Sequence, residues 1–110
     1  MLTAVFFKQS SSGVEPVRKW LRGLPDAAKR TIGANVRVVQ DRWPLGMPLV
    51  GSMGRGLYEV RSTVTAVEYR IFFCVMGETM VLLHGIVKKA QATPTNDLRI
   101  ALERMNQVNP

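Results

Sequence analysis

The chain has 110 residues, of which 46% are apolar and 21% charged, values that describe one folded domain over residues 1–110 and exclude an intrinsically disordered protein. Fifteen Lys and Arg against eight Asp and Glu leave a net charge of +7. So large an excess on a short chain points to a polyanionic partner such as nucleic acid or a ribosome, although solubility alone is the plainer reading. One cysteine, Cys74, excludes an intramolecular disulfide and suits a reducing compartment, and with a single histidine it excludes a zinc site built on Cys and His. The opening residues MLTAVFFKQ lack the basic start of a signal peptide, and no apolar run approaches a membrane span. A cytoplasmic protein without membrane contact is expected.

In chain order, residues 2–9 are rich in β-formers and predict a strand, broken by Ser10-Ser11-Ser12-Gly13. A short helix is expected over 14–22, with Val14, Val17 and Leu21 on its apolar side and Arg18, Lys19 and Arg22 on the other. Gly23-Leu24-Pro25 ends it, and Asp26 is placed to cap the next helix, over 26–42. Ala28, Ile32, Val36, Val39 and Trp43 recur near a 3.6 period in that helix, while Lys29, Arg30, Arg37 and Arg42 lie off the stripe. The short connection predicts an antiparallel helical hairpin. Residues 1–54 carry eight basic and three acidic residues, and 55–110 carry seven and five. The positive charge therefore concentrates on the hairpin.

Residues 43–56, rich in Pro and Gly, read as a long loop and a candidate binding segment. Three strands are expected next, over 56–62, 66–76 and 79–87, and Thr93-Pro94 is positioned to start a final helix packed through Leu98, Ala101, Leu102 and Met105. The predicted fold is α+β, ordered β-α-α-β-β-β-α, with the helical hairpin on one face of a mostly antiparallel sheet. Side-chain alternation puts Tyr69, Ile71 and Phe73 toward the hairpin. Glu59, Arg61, Glu68 and Arg70 then share the opposite, uncovered face.

Guanidinium forks donate paired hydrogen bonds to phosphate oxygens, and Glu59 could orient Arg61 or act as a base. A cross-strand salt-bridge ladder is the competing interpretation. His84 and Lys88 share a parity that Lys89 does not, so a bulge, with Gly85 the candidate, is needed to gather Arg70 and both lysines. Neither a phosphate-binding glycine loop nor a nucleophile elbow occurs, and no paired metal ligands are seen in the sequence. Catalysis would have to proceed without metal or cofactor. RNA cleavage meets that condition, because the 2′-hydroxyl of the RNA is the nucleophile.

The segments GLYEVR (56–61), EYRIFF (68–73) and VLLHGIVKKAQATP (81–94) resemble the phage-type HigB toxins of the RelE/ParE superfamily, over Gly54 to Met105. The hairpin matches only in order and length. The resemblance implies the toxin of a type II toxin–antitoxin pair, an mRNA endonuclease acting in the ribosomal A site and neutralised by a helix-turn-helix, HigA-like antitoxin, with DNA met only through that antitoxin complex. It implies that Arg70 contacts the scissile phosphate, that Lys88 or Lys89 replaces a second phosphate-binding arginine, and that Arg61 is the basic residue closing the preceding strand. Arg18, Lys19, Arg22, Lys29, Arg30, Arg37, Arg42 and Arg55 would grip ribosomal RNA. Glu59 stands where RelE has lysines and becomes the candidate base. The C-terminal tyrosine of several members is absent, which leaves His84 as the candidate acid. Two other readings stand beside this one: a ParE-like gyrase poison, and a non-catalytic basic module that binds RNA or protein.

Overall fold

A computed structural model describes residues 1–88 and 95–109. Five strands and three helices follow in the order β1 (Thr3–Phe6), α1 (Pro16–Arg22), α2 (Asp26–Arg42), β2 (Val50–Gly54), β3 (Leu57–Val64), β4 (Val67–Met76), β5 (Thr79–Lys88) and α3 (Thr95–Val108). The fold is α+β, and its five strands form one sheet ordered β1-β5-β4-β3-β2, antiparallel except where β1 runs parallel to β5. Among the described residues no helix is long and apolar enough to cross a membrane.

The apolar alternation of β4 does what its period requires. Tyr69, Ile71 and Phe73 pack with Val60, Met80 and Leu82 beneath Val17 of α1 and Ala28, Ile32 and Val39 of α2. Two polar anchors fix α2 in place. Asn35 Nδ2 donates to Ser62 Oγ at 2.9 Å, and Gln40 Nε2 donates to the Leu2 carbonyl at 3.0 Å. The helices begin differently from expectation. α1 starts at Pro16, where a missing N–H costs nothing, rather than at residue 14. Asp26 is the first residue of α2 and not its cap, since Pro25 precedes it and no side chain caps the helix. Its carboxylate still favours the helix start electrostatically.

The predicted loop hides a strand. Val50–Gly54 pairs with β3, setting Val50 opposite Val60 and Gly51 opposite Glu59, and the turn runs through Gly54, Arg55 and Gly56, all at positive φ. Gly and Ser give this strand little local propensity, so the neighbouring strand supplies its order. The chain is therefore one strand longer than the β-α-α-β-β-β-α expected.

The second sheet face is not left open. Leu57, Phe72, Cys74, Val81, Leu83 and Ile86 line it, and α3 buries them with Ala101 and Met105. That much apolar surface is too large to leave wet. β5 also carries a bulge, though not at Gly85. Phe72 pairs with His84 while Phe73 pairs with Leu82, so Leu83 is the extra residue. Leu83 and His84 consequently both face α3, and Ile86 and Lys88 fall opposite Arg70 and Glu68. Thr93, Pro94 and Lys89 lie outside the described residues.

Gly85 has another duty. A Cβ there would sit 2.4 Å from Trp20 Cε3, so its bare backbone admits the indole of α1. Gly85→Ala should destabilise the fold by about 1–3 kcal/mol, as overpacking does. Urea denaturation should show a smaller loss when Trp20→Ala accompanies it, because the two changes share one contact.

Candidate functional site

Arg61 and Arg70 lie directly opposite one another on β3 and β4. Like charges so placed repel. The structure resolves the conflict with two carboxylates. Glu59 Oε2 accepts from Arg61 Nε at 2.9 Å, and Arg70 Nη1 donates to both Glu59 oxygens at 3.0 and 2.9 Å. Arg70 Nη2 reaches Glu68 Oε2 at 3.1 Å. Two cations and two anions thus form a neutral quartet.

The quartet is graded in depth. The side chains of Glu59 and Arg70 are 1% and 10% exposed, those of Arg61 and Glu68 29% and 32%. The shared face was predicted correctly, but Glu59 and Arg70 are buried there rather than lying on an uncovered surface. Buried charges persist only when paired and hydrogen-bonded, which is the state of this pair. One donor is left over: Arg70 Nε is buried without a partner among the described residues.

Gly51 makes the clamp fit. It faces Glu59 across β2 and β3, and a Cβ on it would lie 2.9 Å from Glu59 Oε2 and 3.1 Å from Arg61 Nη2. The exposed edge of the quartet borders a hollow of about 380 Å³ lined by Pro48, Leu49, Arg61, Thr63 and Glu68. The segment read as a candidate binding loop therefore supplies one wall.

His84 stands on the same sheet face but is spoken for by α3. Its Nε2 is 2.7 Å from Asp97 Oδ1, its Nδ1 is 3.2 Å from Arg104 Nη1, and its ring stacks on Phe72. Arginine only donates, so Nδ1 accepts and the Nε2 proton points to Asp97. Arg104 also donates to the Leu83 carbonyl at 2.8 Å, holding the bulge, and lies over the Phe7 ring. Burial lowers the pKa of Arg104 from its ordinary value and raises that of the Cys74 thiol. A thiol so placed is unreactive.

Lys88 sits opposite Glu68 at the end of β5. The basic residues of α1 and α2 are carried on the other side of the sheet. Three of them are partly neutralised: Arg18 by Glu15, Lys29 by Asp26 and Arg37 by Asp41. Lys19, Arg22, Arg30, Arg42 and Arg55 are exposed and make no ion pair among the described residues. No three His, Cys, Asp or Glu side chains among those residues are arranged to hold a metal ion.

Gly51, Asp97 and Arg104 escaped sequence reasoning, and Glu68 was placed on the face without a role. Asp97 and Arg104 are seven residues apart and so share a helix face, a weak signal that becomes specific only once α3 is docked. Because Arg70 shares the buried Glu59 with Arg61, Arg70→Ala should lower stability by about 1–3 kcal/mol, the cost of leaving one carboxylate oxygen unsatisfied, measurable by urea denaturation.

No curated protein matches the chain. The family model described as phage-derived protein Gp49-like (DUF891) matches residues 19–106, a span that takes in the whole quartet, His84, Lys88 and most of α3. On that match the chain belongs to the Gp49-like family of phage-derived proteins.

Proposed function

We propose that this protein is the toxin of a type II toxin–antitoxin pair, HigB-like in kind, and that it cuts mRNA in the ribosomal A site. The observation that carries the reading is the juxtaposition of Arg61, Arg70 and a partly exposed carboxylate beside an open hollow, in a member of a phage-derived family. Guanidinium groups match phosphate oxygens, and a carboxylate can take the proton of the attacking 2′-hydroxyl. Lys88 adds a third cation at the same end of the face, and Lys89 follows it in the chain. No cofactor enters this chemistry, since the RNA brings its own nucleophile.

His84 has both ring nitrogens engaged by α3. In this reading the histidine braces the face, and solvent protonates the leaving oxygen. The cations of the helical layer and the β2–β3 turn that make no ion pair among the described residues lie away from the quartet. A protein seated within ribosomal RNA meets phosphate on more than one side, so these cations hold the ribosome while the quartet meets mRNA. The partner that silences the toxin is a helix-turn-helix, HigA-like antitoxin, and DNA is reached through that complex.

In a translating extract the protein should yield mRNA cut within codons and ending in 2′,3′-cyclic phosphate, read by primer extension and end-group analysis. Arg61→Ala should slow the cut by about 10²–10³-fold, the usual loss for one donor to a developing oxyanion. Intact mRNA together with gyrase-linked DNA breaks would replace this reading with gyrase poisoning. Removing Arg22, Arg30 and Arg42 together should weaken ribosome binding and flatten its log–log salt slope by about two, since each phosphate contact contributes about 0.7–0.9.

A further inference from the structure

The quartet contains two carboxylates, and their surroundings differ in a way that assigns them different work. Glu59 is 1% exposed, and both of its oxygens accept guanidinium N–H groups from Arg61 and Arg70. A substrate hydroxyl could reach it only by displacing an arginine. Glu68 is 32% exposed and accepts a single bond, from Arg70 Nη2 to Oε2. Its Oε1 has no hydrogen-bond partner among the described residues, and its side chain lines the hollow with Arg61, Thr63, Leu49 and Pro48.

We infer, resting on the endoribonuclease reading, that Glu68 and not Glu59 is the proton acceptor, and that the hollow beside it seats the nucleotide whose 2′-hydroxyl attacks. The dimensions and chemistry of the hollow agree with that occupant. About 380 Å³ lies within the range of small-ligand sites, about 300–1,000 Å³. Pro48 and Leu49 offer an apolar wall to the face of an unstacked base, and Thr63 and Arg61 offer donors to sugar and phosphate. Glu59 becomes the positioning residue that holds both guanidiniums.

The step balances. The 2′-oxygen bonds to phosphorus, its proton passes to Glu68, and the bond from phosphorus to the 5′-oxygen breaks. A water molecule protonates the departing oxygen, and the hydroxide left behind removes the proton from Glu68. The products are a 2′,3′-cyclic phosphate and a 5′-hydroxyl. The same transfer loosens one end of Arg70, its Nη2, while Nη1 stays on Glu59. In the resting protein its Nη2 donates to Glu68 Oε2, and protonating Glu68 weakens that charge-assisted bond as charge builds on the phosphoryl oxygens. The Nη2 donors are thus engaged in the ground state and available in the transition state, the condition under which binding lowers a barrier.

Chemical rescue in the translating extract tests the assignment, with the wild-type protein assayed alongside. Glu68→Gln should cut mRNA about 10²–10⁴-fold more slowly than wild type, the span of a lost general base, while melting at the same temperature. Glu68→Ala should regain part of the rate as formate is added, and Glu59→Ala should not respond. Wild-type cleavage by Glu68→Gln, or rescue of Glu59→Ala in place of Glu68→Ala, overturns the assignment. So does loss without rescue, which would leave Glu68 merely holding Arg70. Should Glu68→Gln fail to fold, Glu68→Asp, which keeps the charge beside Arg70, must fold and cut slowly for the inference to stand. If the wild-type protein itself leaves mRNA whole, the endoribonuclease reading falls first.

Discussion

Glu59 sits on β3, between β2 and β4, with almost no exposure and holds two arginines that would otherwise face each other across a strand pair. Each part of that statement depends on the others. The carboxylate tolerates burial because Arg61 and Arg70 complete its hydrogen bonds, and the arginines tolerate their proximity because the carboxylate lies between them. Gly51 is drawn into the same arrangement, since only a strand without a Cβ leaves room for the clamp. The exposed remainder, about a third of Arg61 and of Glu68, is what the molecule can offer a ligand.

α3 sets the limits of that offering. It buries the apolar part of the face through Ala101 and Met105 and engages His84 through Asp97 and Arg104. Arg104 also holds the carbonyl of Leu83, the extra residue of the bulge. Without the extra residue, everything after it on β5 would change faces, and Lys88 would leave the neighbourhood of Glu68. One helix therefore closes the hydrophobic face and stabilises the register that brings a third cation to the site.

The molecule distributes positive charge in two ways. Over the helical layer, exposed cations such as Lys19, Arg22 and Arg30 make no ion pair among the described residues. At the quartet, charge is balanced carboxylate for guanidinium, and its inner pair, Glu59 and Arg70, is kept from solvent.

Alternation in the sequence alone determined that Tyr69, Ile71 and Phe73 face one way and Glu59, Arg61, Glu68 and Arg70 the other, and 3.6-residue periodicity placed the stripe of α2. Both are local properties of a backbone that repeats, so they need no knowledge of partners. Three matters required the tertiary structure. The strand Val50–Gly54 exists because β3 pairs with it, the extra residue falls at Leu83 and leaves Gly85 to admit Trp20, and α3 covers the face that alternation left bare. Depth within the quartet was decided in the same way. Which of two carboxylates is buried depends on what other elements bring to the face, and residues far apart in the chain settle that only once they have docked.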